Sequence, residues 1–328
     1  MRETSVHNHY VTVIDIGSNS IKMSMARVMR KSWKIVLERK KSLRLLDQNQ
    51  KKITRAKQKE LARTLTSFMR VVKPYHSTIK MFATSSMRRA ENRKFVLKSL
   101  KKKYGISVHV ISGIQEAKYV YHAIQSRFPT IRGYGGIIDI GGGSVELVQV
   151  KNGRPEWMKS IPFGSVVVKN QFFQERVDDE IDISKIILEL ENQMLRKMGK
   201  NLKGRLIISG GTPAAIAKIF QIQRKLQFIH GKTISMRELI SLFLPLVKEK
   251  KLHWTKNFRI NPVRTDLLLP CLCTVLALLR IADQKNFRIS KTGLRQGIIE
   301  YAYQRAQKMK AMHKVLEKYQ QINLSRQK

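Results

Sequence analysis

The tripeptide Asp-Ile-Gly closes an apolar run twice in this chain, at Asp15 and again at Asp139, and each time a strand-like segment follows. The second copy reads Ile137-Ile138-Asp139-Ile140-Gly141-Gly142-Gly143-Ser144-Val145-Glu146-Leu147: a strand ending in an acid, a three-glycine turn, and a second strand beginning with a glutamate. An apolar strand carries an acid at its end only if that carboxylate is paired, hydrogen-bonded or bound to a metal. Glycines in the turn let backbone N–H groups close around an anion, since no Cβ stands in the way. Alone, such a stretch also suits an ordinary glycine-rich hairpin, because short motifs misfire. The first copy, Val13-Ile14-Asp15-Ile16-Gly17-Ser18-Asn19-Ser20-Ile21-Lys22-Met23, repeats the layout. Self-similarity at this spacing is too long for a solenoid and suits two duplicated domains whose turns face each other across a cleft.

A length of 328 residues is enough for two domains with cores of their own, and 42% hydrophobic residues argue against disorder. The start, Met1 to Tyr10, lacks the apolar core of a secretory signal. The longest apolar run, Leu267 to Leu279, is interrupted by Pro270 and too short to span a bilayer. Both features point to a cytoplasmic protein with no membrane span. Cys271 and Cys273, the only cysteines, read as small buried residues in that run. Charge is the outlier: 64 Lys and Arg against 23 Asp and Glu, a formal +41. Such a field attracts polyanions (nucleic acid, polyphosphate, acidic membrane) without saying which, and a generally basic composition would produce it too.

Between the two hairpins, Lys34 to Leu37 reads as a third strand, and Ala56 to Val72 as an amphipathic helix with Leu61, Leu65, Phe68 and Met69 on one face. Ile79 to Thr84 is a strand running into Ser85-Ser86-Met87-Arg88-Arg89-Ala90-Glu91-Asn92, the arrangement that seats a phosphate at a helix N-terminus, where Arg88 could meet it with a fork of donors. A lysine-rich helix ending at Gly105 follows, then a strand over Ser107 to Ile111 in which His109 is an ordinary strand residue. Ser112 and Gln115 match a capping box, which puts Glu116 in a first helical turn; complementing the helix dipole is reason enough for an acid there.

The hinge into the second half falls at Phe128-Pro129-Thr130 and Gly133 to Gly136. The second hairpin turns at Lys151-Asn152-Gly153, and Ile161 to Ser165 offers another small-residue turn. Asp178, Asp179, Glu180 and Asp182 read as helix-start acids before Ser184 to Met198 rather than as a metal site. Arg205 to Pro213 is strand, glycine pair and helix start, a third phosphate cradle at Gly210-Gly211-Thr212. The remainder reads as helical apart from a strand around Phe287 to Ile289. It ends in a basic helix or frayed tail.

Taken in order, Asp-Ile-Gly-Ser-Asn-Ser, Ala-Thr-Ser-Ser-Met-Arg-Arg-Ala-Glu-Asn, Ile-Ser-Gly-Ile-Gln-Glu-Ala, Asp-Ile-Gly-Gly-Gly-Ser-Val-Glu-Leu, Pro-Phe-Gly-Ser and Ser-Gly-Gly-Thr resemble the exopolyphosphatase/guanosine pentaphosphate phosphatase (Ppx/GppA) family in its short form, as does Gly293-Leu294-Arg295-Gln296-Gly297. The resemblance implies an α/β fold of two ribonuclease-H-like domains (actin/hexokinase/Hsp70-like superfamily) around a central cleft. The domains would run over 1–128 and 129–302, with a basic C-terminal helix or tail over 303–328. It implies Glu116 as the catalytic base and Glu146 as the second glutamate on the attacking water. Asp15 and Asp139 would stand near Mg²⁺. Arg88 and the turns Gly17, Ser18, Asn19, Ser20, Gly141, Gly142, Gly143, Ser144, Gly210, Gly211 and Thr212 would hold terminal phosphates.

Hydrolysis of a phosphoanhydride needs an oriented water, a base and positive charge on the transferring phosphoryl, and this set supplies them. The reading expected on these grounds is an exopolyphosphatase acting on inorganic polyphosphate. The same chemistry on guanosine pentaphosphate, a kinase-like ATPase, and a non-enzymatic polyanion- or nucleic-acid-binding protein on this scaffold are the alternatives. A homodimer is what the resemblance implies. The chain departs from the family at Gln115, Lys118 and Cys271 and lacks glycines over Leu43 to Lys52, departures that bear on substrate preference.

Overall fold

The computed structural model describes residues 9–46, 50–128, 131–173, 182–248 and 251–309. Pro129 and Thr130 of the expected hinge, Asp178, Asp179 and Glu180 of the acid cluster, and residues 310–328 of the basic tail lie outside them.

Two sheets carry the architecture. The first is built from β1 (His9–Ile16), β2 (Ser20–Val28), β3 (Trp33–Ser42), β4 (Thr78–Ala83) and β5 (Val108–Val110), in the order β3-β2-β1-β4-β5. Its helices are α1 (Arg55–Val72), α2 (Ser85–Arg89), α3 (Arg93–Tyr104) and α4 (Gly113–Gln125), with one 3-10 turn at Lys73–Tyr75. The second has β6 (Tyr134–Ile140), β7 (Val145–Lys151), β8 (Arg154–Ile161), β9 (Arg205–Gly210), β10 (Thr233–Ser235) and β11 (Asn286–Ile289), in the order β10-β11-β9-β6-β7-β8. With it go α5 (Ser165–Phe172), α6 (Ile183–Met198), α7 (Pro213–Gln223), α8 (Met236–Ser241), α9 (Phe243–Lys248), α10 (Lys251–Phe258), α11 (Pro262–Thr265) and α12 (Leu268–Ile281). A last helix, α13, covers 294–309.

The repeat seen in the sequence is a repeat in space. In each sheet an antiparallel hairpin (β1–β2, β6–β7) takes a third antiparallel strand on one side and a parallel strand on the other (β4, β9). The registers agree residue for residue: Asp15 pairs with Lys22 as Asp139 pairs with Glu146. Strand periodicity then decides which side chains enter the cleft. Ile14, Ile16, Ile21, Met23 and Met25 pack outward under α1 and α3, and Ile138, Ile140, Val145 and Leu147 pack outward in the larger core around α12. Val13, Ala26, Ile137 and Val148 face the other way, into a shared core between the sheets. Asp15, Lys22, Asp139 and Glu146 stand on that inward face.

Local rules account for the elements. In α1 the buried residues Leu61, Leu65, Phe68 and Val72 recur at helical spacing, and Thr54 caps the helix by accepting from Lys57 N (3.3 Å). Each such buried side chain stabilises by roughly 1.5–3 kcal/mol. Pro270 does not interrupt the apolar run as the sequence suggests: it occupies the third position of α12, in the first turn, where a missing N–H leaves no bond unmade. Pro262–Ile281 is long and apolar enough to cross a bilayer by composition, yet most of it is buried inside the fold. The expected strand around Phe287 to Ile289 forms as β11, and Thr233–Ser235 adds a second strand to the remainder expected to be otherwise helical. Three residues are too few for a periodic pattern, and β10 exists because β11 offers an antiparallel edge.

Packing crosses the sequence halves. Helix α4, from the first half, packs on β6, β7 and β8. Helix α13 returns to the first sheet, where Trp33 Nε1 donates to Glu300 (2.8 Å) and Gln307 to the Arg30 carbonyl (3.0 Å). The two helices meet so closely that a Cβ on Gly297 would lie 1.8 Å from the Tyr119 carbonyl oxygen. Helix α13 runs unbroken through residue 302, so the described part of the expected tail, 303–309, is its continuation.

Candidate active site

The inward face of the two hairpins opens onto a cavity of about 270 Å³. Its wall includes all three glycine turns: Gly17, Ser18, Asn19 and Ser20; Gly141, Gly142, Gly143 and Ser144; Gly210, Gly211 and Thr212. The first two are the same turn twice, each closed by a backbone bond (Gly17 N to Ser20 O, 3.2 Å; Gly141 N to Ser144 O, 2.9 Å). They touch across the cleft. A Cβ on Gly142 would stand 3.3 Å from Asn19 Cβ, and one on Gly143 would stand 2.5 Å from Ser85 Oγ. In the third turn Gly210 has φ +124°, a conformation left to glycine, and its Cβ would strike the Ile140 carbonyl at 2.2 Å.

Four carboxylates enter this cavity: Asp15, Glu116, Asp139 and Glu146, each buried or nearly so. The capping box forms as expected, with Ser112 N donating to Gln115 (2.8 Å) and Gln115 N to Ser112 (3.2 Å), and it fixes the turn that presents Glu116. Glu116 lies in the field of Glu146, and Arg88 binds its Oε1. Burial, then the Glu146 charge, hold the Glu116 carboxyl well above the usual carboxylate range, and Arg88 opposes them. Burial and the neighbouring Asp139 push Glu146 up to about 7, against hydrogen bonds from Ser144 and from Ser160 Oγ (2.9 Å). Asp139 is raised by burial while Ser209 Oγ donates to its Oδ1 (2.5 Å).

Facing the carboxylates are five cations: Lys22, Lys40, Arg264, Lys291 and Arg295. Burial lowers the Lys22 ammonium, partly offset by Asp15. Lys40 is exposed at the cavity mouth, and its partial desolvation, then the like charges of Arg264, Lys22 and Arg295, draw it below the usual lysine range. Arg264 is 4% exposed with an unpaired Nε, and burial lowers its guanidinium to about 10. The cleft is bridged on both sides of this set. Arg44 forks onto Asp266 (3.0 and 2.9 Å) while its Nε reaches Asn19 (3.3 Å), and Arg295 binds Ser24 (2.7 Å) and Glu38 (3.1 Å).

The sequence-derived set thus comes together around one cavity, with Arg88 as the exception. Arg88 does not line the wall; Glu116 and the Ile111 carbonyl (2.8 Å) take up its guanidinium. Lys22, Lys40 and Arg264 went unrecognised in the sequence. For Lys22 a signal existed, since it breaks the apolar pattern of its strand where Glu146 stands in the repeat. Lys40 sits in a charged run that looks solvated, and nothing local marks Arg264. The three departures stand clear of the cavity. Gln115 closes the cap, Lys118 lies over the Tyr301 ring (4.9 Å), and Cys271 is buried behind Arg264 with its thiol pushed up to about 12.

Mg²⁺ suits the donor set. Asp15 Oδ1 is buried with no hydrogen-bond partner, and one or two carboxylates with phosphate oxygens and water are the donors this ion ordinarily takes. Among the described residues no group of three or more His, Cys, Asp or Glu has metal-ligand geometry. Asp15 and Asp139 are the residues that would hold Mg²⁺.

The sequence model of the Ppx/GppA phosphatase family matches residues 24–306. A Haemophilus influenzae protein provisionally named an exopolyphosphatase is 26% identical over 305 residues, 88% of this chain and 90% of that protein. Of solved structures, the Aquifex aeolicus member of the Ppx/GppA family superposes with a TM-score of 0.77 at 24% identity, covering 91% of this chain and 98% of that one. An exopolyphosphatase from Cytophaga hutchinsonii gives 0.80 at 19%, covering 90% and 98%. At these identities the two structures speak for the fold, which is the expected duplicated one.

Proposed function

Because the chain belongs to the Ppx/GppA phosphatase family, we propose that it is an exopolyphosphatase, releasing orthophosphate from the end of inorganic polyphosphate by attack of a water held between Glu116 and Glu146. The observation that carries this reading is the placement of two buried glutamates, Glu116 and Glu146, on the wall of one cavity that Asp15, Asp139, three glycine turns and several cations also line. Burial and the Glu146 charge hold the Glu116 carboxyl well above the usual carboxylate range, which suits a general base. Arg88 occupies Oε1 of Glu116, so Oε2 is the oxygen left to take the water proton. Glu146, steadied by Ser160, orients the same water. Lys22, Arg264 and the turn N–H groups meet the charge that builds on the terminal phosphoryl. Mg²⁺ held by Asp15 and Asp139 would neutralise further phosphate charge.

The test measures orthophosphate release from long polyphosphate and, separately, from guanosine pentaphosphate, with Mg²⁺, for wild type and Glu116→Ala. Release from polyphosphate that disappears in the variant is expected. Release from the nucleotide alone transfers the activity to guanosine pentaphosphate, and release from neither leaves a polyanion-binding scaffold. Sedimentation of the purified chain tests the homodimer that the family resemblance implies.

A further inference from the structure

We propose that the end of the second sheet remote from the cleft binds single-stranded nucleic acid, with Tyr134 as the ring on which a base stacks. Tyr134 opens β6, six residues before Ile140, so it lies roughly 20 Å along the strand from the catalytic turns. It is 38% exposed and helps line a separate cavity of about 470 Å³ together with Trp157, Glu156, Lys200 and Lys203. Two ammonium groups stand over its ring, Lys151 Nζ at 5.2 Å and Lys203 Nζ at 5.6 Å from the centroid.

The platform is built rather than incidental. Gln149 is 1% exposed and grips the lysine loop at both backbone atoms, accepting from Lys203 N (2.8 Å) and donating to Lys203 O (3.1 Å). Gly204, at φ +77°, lets that loop close on the strand, since a Cβ there would stand 2.0 Å from the Tyr134 carbonyl oxygen. Lys203 is thereby held over the partly exposed Tyr134 ring, with Lys200 on the same cavity wall.

The ligand class follows from that pairing. Lysines alone attract any polyanion, but a partly exposed Tyr among them adds affinity only for a polyanion that carries planar rings. Inorganic polyphosphate has no rings, and a duplex hides its base faces. A lysine over an exposed ring makes a weak contact, so Lys151 and Lys203 give up the face to a base and turn to the flanking phosphates. The chain's +41 charge draws such a strand in from solution.

The experiment measures binding of the full chain to a labelled single strand of about 12 nucleotides by fluorescence anisotropy across a salt series. Tyr134→Ala is expected to weaken binding roughly tenfold and Tyr134→Phe to keep it. Lys200→Gln with Lys203→Gln is expected to flatten the log–log salt slope by about 1.4, at about 0.7 per phosphate contact. Phosphate release from polyphosphate should not change in any of these variants, and thermal melting checks that each is folded. Folded Tyr134→Ala binding as tightly as wild type overturns the proposal, as does a duplex of the same length competing equally well. Absence of binding by wild type at ~0.1 M salt also overturns it, and none of these outcomes touches the phosphatase reading.

Discussion

Lys22 holds in the first hairpin the place that Glu146 holds in the second: each sits directly across the ladder from the aspartate of its Asp-Ile-Gly turn. One duplicated scaffold therefore delivers a cation from one side of the cleft and a carboxylate from the other.

If Lys22 is the buried countercharge to Asp15 and Asp139, Lys22→Met leaves two neighbouring carboxylates without it. We expect Lys22→Met to be less stable than wild type at pH 8, because the field that favours the two ionised carboxylates is weakened. Asp139 already sits above its ordinary range, and loss of Lys22 raises it further, so the deficit should shrink as pH falls and the acid protonates. Denaturant melts of both proteins at pH 5 and pH 8 check this; a deficit independent of pH would contradict it.

Glu146 stands at about 7 in the folded protein against about 4.5 unfolded. The native state binds its proton longer, so this group's contribution favours folding at low pH and is lost as pH rises from about 4.5 to about 7. The loss amounts to about 3 kcal/mol. Without ligand, Glu146→Gln should gain stability relative to wild type across that window, which melting curves measure.

If Glu116 is the base, activity of the wild type should climb with pH as Glu116 loses its proton. Glu146→Gln removes a charge that raises Glu116, so the acid limb of kcat/KM should move to lower pH while kcat falls by ~10²-fold or more. An unmoved limb would mean that Glu116 is not the group being titrated.

Arg88 binds the Glu116 carboxylate and stands off the cavity wall, a placement from which it would tune Glu116 if that residue is the base. Arg88→Met should raise Glu116 further and move the acid limb to higher pH, with Arg88→Lys restoring part of the shift. A large rise in KM at an unchanged pH limb would return Arg88 to the phosphate-binding set.

Gly164 braces the second turn from behind. Ser165 N and Val166 N bind the Gly141 and Gly142 carbonyls (3.0 and 2.9 Å), and a Cβ on Gly164 would sit 2.5 Å from the Gly142 carbonyl and from Ser144 N. Those neighbours are backbone and cannot swing aside. Gly164→Ala should cost about 1–3 kcal/mol by overpacking and lower kcat/KM by roughly 10²-fold through the displaced turn. Thermal melts with steady-state kinetics test both.

Much of this molecule is written locally. The repeat around Asp15 and Asp139, the capping box at Ser112 and Gln115, and the helix stripe through Leu61, Leu65 and Phe68 follow from short-range rules of period, cap and turn. They locate three glycine turns and four carboxylates from the sequence alone. Other features depend on which elements meet. The crossing of α4 and α13 at Gly297 and Tyr119, the capture of Arg88 by Glu116, and the entry of Lys40 and Arg264 into the cavity join residues far apart in the chain. No periodicity encodes such meetings. Charge follows the same division: the chain fixes how many lysines and arginines there are, but only packing decides which are stripped of water, and a buried ammonium such as Lys22 differs from a solvated one by that desolvation.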